Sequence, residues 1–471
     1  MSQPTRVPFL LIRFKNFLLL LLKNKLAAVG MVVLLLFVFL AVAAPILTPY
    51  APTGASVSEP YDPPSWITTF NGPLGYSQNA QFSALTLNAT GLATISKQAA
   101  HSVRLTFASP LTGGTVQLTE KLSYPYQGSP KRLLGFAIVD VPNSIGKPFT
   151  VTAFVDRIGV SRFVFWSPTE INSTGQHLPS PPIDSSQSTF NAKLGLGAQF
   201  SAATYVFAAQ IADYQYVLQI HVPAGFVGTI DVQDFQLSLL GNTWGIFGTD
   251  DAGHDIFSQV VYGSRLSLEV GLFATFIGIG VGLLIGLTAG YLGKLVDEVL
   301  MRTTDMLLVI PFLPLLIVLV ATIGSGLIYI ILLIGFFSWM GFARIIRSQV
   351  LSLRERPFIE AAKASGAGTG YITARHIFPN IVSLTYVNLA LSVPAAIVTE
   401  AALSFLGLGD PTVITWGSML GAANTAGGSI SNLAWWWIIP PGLSIALLSL
   451  SFILLGYAMD ELFNPRLRRR R

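Results

Sequence analysis

Apolar positions along the chain fall into two regimes. Residues 26–44 form an uninterrupted apolar run, long enough as a helix to cross the roughly 30 Å hydrocarbon core of a bilayer. Further runs at 267–291, 306–323, 326–342, 384–403 and 437–457 predict five more spans. Between the first and second runs the pattern changes to short segments at 115–122, 132–141, 149–155, 162–166, 203–211, 216–222 and 229–240, set among Pro, Ser, Thr, Asn and Gly. Tyr216-Val217-Leu218-Gln219-Ile220-His221-Val222 alternates apolar and polar residues as a half-buried strand does. Some seven short strands over this region predict a β-sandwich. The expected fold is an all-α six-span membrane domain with an inserted β-rich, sandwich-like domain. Its segments are 1–25 (with an interfacial helix), span 26–47, β-rich domain 51–245, five-span core 246–465 and basic tail 466–471.

The apolar stretch at 9–22 carries Arg13, Lys15 and Asn16, too polar to span comfortably and suited to the interface. Ala41-Val42-Ala43 has the small-x-small spacing of a signal-peptide cleavage site, yet the run before it exceeds the usual core of about 7 to 15 residues, so a retained span is expected.

Composition agrees with a membrane protein. Only 11% of the 471 residues are charged, against about 25% in soluble domains, and the mean hydropathy is +0.60. The net charge of +5 is modest, but its distribution is not. Arg6, Arg13, Lys15, Lys23 and Lys25 precede the first run without an acidic residue among them, and Arg466 with 468–471 closes the chain. Arg344, Arg347, Arg354, Arg356, Lys363 and Arg375 crowd the segment 344–383. The positive-inside rule predicts that both termini and this segment are cytoplasmic, which leaves residues 51–245 outside. The terminal arginines suit an anionic lipid surface, and no nucleic-acid partner is expected. Cysteine is absent, which excludes disulfides and thiolate metal sites. Asn88-Ala89-Thr90 and Asn172-Ser173-Thr174 are candidate glycosylation sequons in the external domain, and its sparse charge fits an acidic exterior.

Little catalytic chemistry is visible. Gly278, Gly282, Gly286 and Gly290 recur every four residues and predict a helix face for close packing. Pro311, Pro314, Pro394, Pro440 and Pro441 predict kinks or breaks, and Trp435 to Trp437 an interfacial belt. Glu400 and Asn388 are candidates for translocation or gating, since a polar group within a span is functional by default; Glu400 and Glu269 both stand near helix ends, where a side chain can reach the interface, and a structural hydrogen bond within 400–409 is the alternative for Glu400. Gly407-Leu408-Gly409-Asp410 matches an intramembrane aspartyl-protease pattern, but the second carboxylate that this chemistry requires would have to be Asp305, expected at the opposite membrane depth. No His-Glu-x-x-His or phosphate-binding loop occurs: Gly146-Lys147 is followed by Pro148 and Gly293-Lys294 by Leu295. No cofactor or metal is expected in this chain.

One charged, Ala-rich island stands in the apolar half: Arg354-Glu355-Arg356-Pro357-Phe358-Ile359-Glu360-Ala361-Ala362-Lys363-Ala364-Ser365-Gly366, continuing to Arg375-His376-Ile377-Phe378-Pro379. Its Glu-Ala-Ala triplet, its Gly after three residues and its Pro thirteen beyond resemble the EAA loop of ABC-importer permeases. Other stretches join it: Asn24-Lys25-Leu26-Ala27, Gly248-Thr249-Asp250-Asp251-Ala252-Gly253-His254-Asp255, Val261-Tyr262-Gly263-Ser264-Arg265-Leu266-Ser267, Ala402-Leu403-Ser404-Phe405-Leu406-Gly407-Leu408-Gly409, Trp416-Gly417-Ser418-Met419-Leu420 and Asn464-Pro465-Arg466. Together they resemble the C-type permease subunit of dipeptide/oligopeptide importers, in the peptide/nickel family, over roughly residues 20–50 and 246–467.

The resemblance implies a type I importer fold, a second homologous permease, two ATPase subunits that bind ATP and Mg, and an external solute-binding protein. Residues 360–366 would be a coupling helix seated in an ATPase, with Arg356, Glu360, Ala361, Ala362, Lys363, Ala364, Gly366, His376 and Pro379 as coupling residues. His254 departs from the family's usual Arg; His376 replaces the general Ile, as the peptide branch commonly does. The insert at 51–245 is not covered, and docking of the binding protein, capping of the vestibule or ligand binding are open to it. Peptides are the expected substrate, with oligosaccharides or nickel as alternatives. A membrane-anchored adhesion or sensor protein is the alternative of another class, though it would not need an Ala-rich loop helix.

Overall fold

The computed structural model describes residues 23–463 except 71–74, 83–84, 89–92, 100, 146, 169–170, 172–173, 198–199, 209–210 and 427–433. The expected interfacial helix, the sequon asparagine Asn172 and the basic tail lie outside the described residues. The chain forms two compact units, Ser56–Asp255 and, around it in sequence, Met1–Ala55 with Ile256–Arg471.

The second of these is helical. Helix α1 spans Lys25–Leu47, α2 Ile256–Leu292, α3 Lys294–Val309, α4 Phe312–Ile323 and α5 Leu327–Arg354. Then come α6 (Pro357–Ala364), α7 (Thr369–Ile372), a π-helical turn (Thr373–Ile377), α8 (Phe378–Phe405), α9 (Trp416–Thr425) and α10 (Trp435–Phe463). Among the described residues, five helices, α1, α2, α5, the continuous stretch Thr369–Phe405 and α10, are long and apolar enough to cross a membrane.

The expected third span differs from its prediction: it is a pair, α3 and α4, bent by 85°. Pro311 explains the break. It donates no backbone hydrogen bond and holds Ile310 extended at ψ 127, so α3 stops and α4 starts afresh. With 12 residues α4 is about 18 Å long, short of a full crossing on its own.

Packing bears on the role of the bent pair. Gly278 lies against Gly335 and Ser338, Gly286 against Ala343 and Ile346, and Gly290 against Val350. The numbers rise together, so α2 and α5 run parallel, and a chain that traverses the bilayer twice in one direction must return in between. The bent pair is that return. A methyl group at Gly286 would come within 2.7 Å of the Ala343 carbonyl oxygen, which is why small residues line this seam.

The remaining spans fix sidedness. Asn24 at the start of α1 donates to Glu461 near the end of α10 at 2.8 Å. Gln259 at the start of α2 donates to the Pro52 carbonyl just past α1 at 3.3 Å. Arg354 at the end of α5 reaches the Tyr291 carbonyl at the end of α2 at 3.3 Å. The beginning of α1, the end of α10 and the whole 354–379 loop therefore share one side.

The Ser56–Asp255 unit is built of two antiparallel sheets. The larger runs β10 (Ile183–Asp184), β6 (Arg132–Ile145), β12 (Val227–Leu240), β4 (Ser102–Ala108), β3 (Thr94–Ala99), with β1 (Ala80–Gln81) beside β12 and β9 (Gln176–Pro179) beside β6. The smaller runs β2 (Thr86–Asn88), β5 (Gly114–Tyr124), β11 (Ala212–Val222), β7 (Thr150–Arg157), β8 (Ser161–Trp166). Alternate residues such as Val103, Leu105 and Phe107 on β4 point into one core, as period-2 strands require. Tyr216 of β11 stacks on Phe235 of β12, ring centres 4.3 Å apart, and joins the two sheets.

The strand expected at 203–211 is instead a short helix, Ala202–Val206, because the Ser201 side chain caps it by accepting from the Ala203 amide. The motif around residues 248–255 belongs to this unit. Its Thr249 amide donates to the Asp62 carbonyl at 2.8 Å, and the Gly253 carbonyl accepts from Val57 at 2.9 Å, which ties the unit's two ends together. Asn88, at the end of β2, is exposed.

One buried pair spans the sandwich. Glu120 of β5, 1% exposed, meets His101 Nδ1 at 2.9 Å. Burial pushes its pKa up from 4.5 to about 7, with His101 pulling the other way. The folded unit thus favours protonated Glu120. Its stabilising share is complete below pH 4.5 and is lost as pH rises through 7. Asp184 behaves oppositely: the Arg132 guanidinium holds it down at about 2, so its share is present above pH 3.8 and lost below 2. Amide exchange of β5 and β11 in the detergent-solubilised full chain, corrected for intrinsic rates, should be slower at pH 4.5 than at pH 7. Glu120→Gln should flatten that difference; an unchanged difference would refute the assignment.

Candidate functional site

The island at 354–379 folds as a short helix on a wide turn. Pro357 stands at the first position of α6, where no amide is missed, and follows Arg356 as N-cap. Glu360 lies in the first turn and Lys363 in the last, each complementing the helix dipole. The helix ends in a Schellman motif: Gly366 at φ +80 donates to the Lys363 carbonyl at 3.0 Å and Ala367 to the Ala362 carbonyl at 3.1 Å.

One face of α6 is fastened. Ile359 is fully buried in a cluster with Ile279 of α2, Ile346 and Val350 of α5, and Ile372, Ile377 and Ile381 beyond the turn, and Ala362 packs against it. The opposite face is open: Phe358, Glu360, Ala361, Lys363, Ala364 and Gly366 are exposed. Lys363 Nζ lies 5.9 Å from the centre of the Tyr291 ring, within cation–π reach.

The following turn is widened for a definable reason. The amide of Phe378 bonds five residues back, to Thr373, and Pro379, next in line, has no amide to donate. Asn380 donates to the His376 carbonyl at 2.6 Å. His376 is half-buried, its ring 5.7 Å from Tyr371 and 6.4 Å from Phe358. Arg356, Glu360, Ala361, Ala362, Lys363, Ala364, Gly366, His376 and Pro379 thus fall into one contiguous stretch around α6 and the turn. Sequence reasoning missed Phe358 and Tyr371, aromatic rings 45% and 59% exposed beside it, and the anchor Ile359. The three-residue spacing of Ile359 and Ala362 was the available signal for a fastened face.

Stem charges tie this region to α3. Arg347 of α5 grips Asp297 with two bonds of 2.5 and 2.6 Å, and Arg344 pairs with Asp305.

The candidates within the spans lie elsewhere. Asn388 turns its amide back to the Leu384 carbonyl of its own helix at 2.9 Å. Glu400, 1% exposed, accepts from Ser404 at 2.6 Å, with the Thr415 hydroxyl next to it. It stands 22 residues, about 33 Å of helix, from Phe378. Thr415 and Ser418 form a capping box that starts α9, and Gly417 lies against Ala401, so Glu400 braces the α8–α9 seam. Trp416 donates to the Val260 carbonyl at 2.9 Å. Asp410 accepts from the Leu327 amide at 3.0 Å and caps α5, whereas Asp305 pairs with Arg344, 17 residues or about 26 Å further along that helix. A protease dyad between them is geometrically excluded. Glu269 is 3.5 Å from Arg265 on its own helix.

Comparison with known proteins bears on the helical unit. Residues 282–469 match the family described as binding-protein-dependent transport system inner membrane component, and residues 13–64 match the N-terminal TM domain of oligopeptide transport permease C. A dipeptide transport system permease protein of Alkalihalophilus pseudofirmus is 40% identical over 47% of this chain and 72% of its own length. One from Bacillus subtilis is 38% identical over 47% and 69%. An oligopeptide transport system permease protein of Haemophilus influenzae is 35% identical over 47% and 70%. Among solved structures, TmCBM61 in complex with beta-1,4-galactotriose is 12% identical and covers 33% of this chain and 89% of its own, with a TM-score of 0.20, a likeness that carries no argument.

Gly366→Leu should test the turn. A leucine held at φ +80 costs about 1–2 kcal/mol, so the amides of residues 366 and 367 should exchange several-fold faster while α8 stays protected. Unchanged protection at both amides would contradict the Schellman assignment.

Proposed function

The chain belongs to the family of inner-membrane components of binding-protein-dependent transport systems and is the permease subunit of a peptide importer; from that premise we propose that α6 receives the stroke of a separate ATPase and passes it to α2 and α5. The chain is not itself the catalyst. ATP and Mg belong to two partner ATPases, a second homologous permease completes the path, and an external binding protein delivers the peptide.

The observation that carries this reading is the two-sidedness of α6. Ile359 fastens it to the spans, while Phe358, Glu360, Ala361 and Ala364 face outward. Small alanines permit close approach, the exposed aromatics supply area, and Arg356, Glu360 and Lys363 supply orienting charge.

Sidedness supports it as well. Lys23 and Lys25 share the loop's side of the membrane unit with Arg354, Arg356, Lys363 and Arg375, and by the positive-inside rule that side is cytoplasmic. The β unit joins the opposite ends of α1 and α2 and is therefore extracytoplasmic, where a delivering protein would meet it. Glu400 and Asn388 belong in this reading to the scaffold: both engage their own helix.

The test uses the whole importer in proteoliposomes. Glu360→Lys should reduce ATP-driven peptide uptake at least about tenfold, equivalent to about 1.4 kcal/mol of coupling, while the chain still inserts and the ATPases still hydrolyse ATP. Normal uptake by this variant would remove α6 from the coupling path.

A further inference from the structure

We propose that the hollow enclosed by α2, α4, α5 and α8 is a transit site for the cargo, holding one peptide bond of the passing peptide by its N–H and its carbonyl. The inference rests on the chain's place in a peptide importer and not on the role of α6. The hollow encloses about 140 Å³, well beyond the about 10–15 Å³ that a single water needs. It opens between α5 and α8, where Ser338 and Ala395 are exposed.

Depth places it inside the bilayer. Helices α4 and α5 are joined by the short turn at 324–326. From that turn α4 runs back 12 residues to Phe312, about 18 Å, and α5 runs forward 11 residues from Leu327 to Ser338, about 16 Å. Both therefore reach the middle of the roughly 30 Å core, and both line the hollow. The break at Ile310–Pro311 stands beside it at the same depth. Irregular backbone within a membrane is stable only where protein covers it or where it lines a wet cavity.

The polar groups around the hollow are of two kinds. Ser338 donates to the Gly335 carbonyl at 3.0 Å and Thr399 to the Ala395 carbonyl at 2.7 Å, so their oxygens offer lone pairs to a ligand. Donors stand with them. The Leu315 amide bonds to the Pro311 carbonyl to begin α4, and Pro311 supplies no side-chain cap, which leaves the Phe312 amide open to a carbonyl. Thr275 is 2% exposed, and its hydroxyl has no hydrogen-bond partner among the described residues. A buried hydroxyl left unpaired is destabilising, and a ligand in the hollow relieves it. A secondary amide carries the complement of both kinds, an N–H for the hydroxyl oxygens and a carbonyl for the donors. Among the described residues no charged side chain lines the hollow, so cargo of either sign is neither trapped nor repelled. Every peptide offers this group whatever its sequence, and neutral hydrogen bonds let it go again.

The whole importer in proteoliposomes tests this, with a tripeptide that carries one photo-leucine as cargo. Irradiation during ATP-driven uptake should place adducts on the residues around the hollow, read by mass spectrometry of this chain, and excess trialanine should remove them. Thr399→Val keeps the shape but loses the oxygen, and should lower maximal uptake several-fold. Thr399→Ser keeps the oxygen and should rescue most of that loss. The proposal is overturned if uptake proceeds with no adduct at the hollow, if Thr399→Val transports as well as the wild type, or if Thr399→Ser is impaired as much as Thr399→Val.

Discussion

The parallel contact of α2 with α5 is the constraint on which the membrane unit depends. Glycines at every fourth position let two spans approach until the backbone of one touches the other, at Gly286 and Ala343 for example. Because the two helices point the same way, everything between them has to return across the bilayer. The bent pair α3–α4 does so, although its apolar helix has only 12 residues. The same contact brings the ends of α2 and α5 together on one side, and the Ile359 cluster is built on those two ends.

That cluster makes α6 part of the span pair rather than an appendage of a loop. Ile279, Ile346 and Val350 come from the two parallel spans, and Ile372, Ile377 and Ile381 from the start of the next. A push on the exposed face of α6 is delivered through fully packed side chains, which do not compress. Three long helices feel it at once. The Schellman turn at Gly366 and the wide turn closed by Pro379 keep α6 short and fix where the chain re-enters α8.

The sequence disclosed what repeats or what is forced. Four-residue glycine spacing foretold the α2 seam, and Gly366 foretold where α6 ends, whereas the helix starts at Pro357, three residues before the expected 360. It did not disclose what depends on a distant partner. Ala402 to Gly409 resembles a stretch of the permease family, and Gly407 to Asp410 matches a protease pattern. In space this stretch is a helix end whose Asp410 caps another span, at Leu327. The region at 306–323 reads as a span by hydropathy; Pro311 and Pro314 both announced a kink or break, and the break falls at Pro311 while Pro314 sits in the first turn of α4. Residues 203–211 look like a strand until Ser201 is allowed to cap a helix. Glu120 gives no local sign of burial beyond alternation; its pairing with His101 needs both sheets.

The bend between α3 and α4 has a consequence for movement. Asp297 and Asp305 fasten α3 to α5 through Arg347 and Arg344, so α3 is held to the span pair on which α6 is anchored. Helix α4 packs instead beside Ile330 and Ile334, at the other end of α5, and beside Ala396 and Leu403 of α8. Between these two attachments lies Ile310–Pro311, a junction without a continuous helical hydrogen-bond ladder. A change in tilt between α5 and α8 therefore concentrates at that junction, where little bonding opposes it, and the glycine seam between α2 and α5 stays closed. The break that makes this span hard to read from hydropathy is also the place where the bundle can bend at least cost.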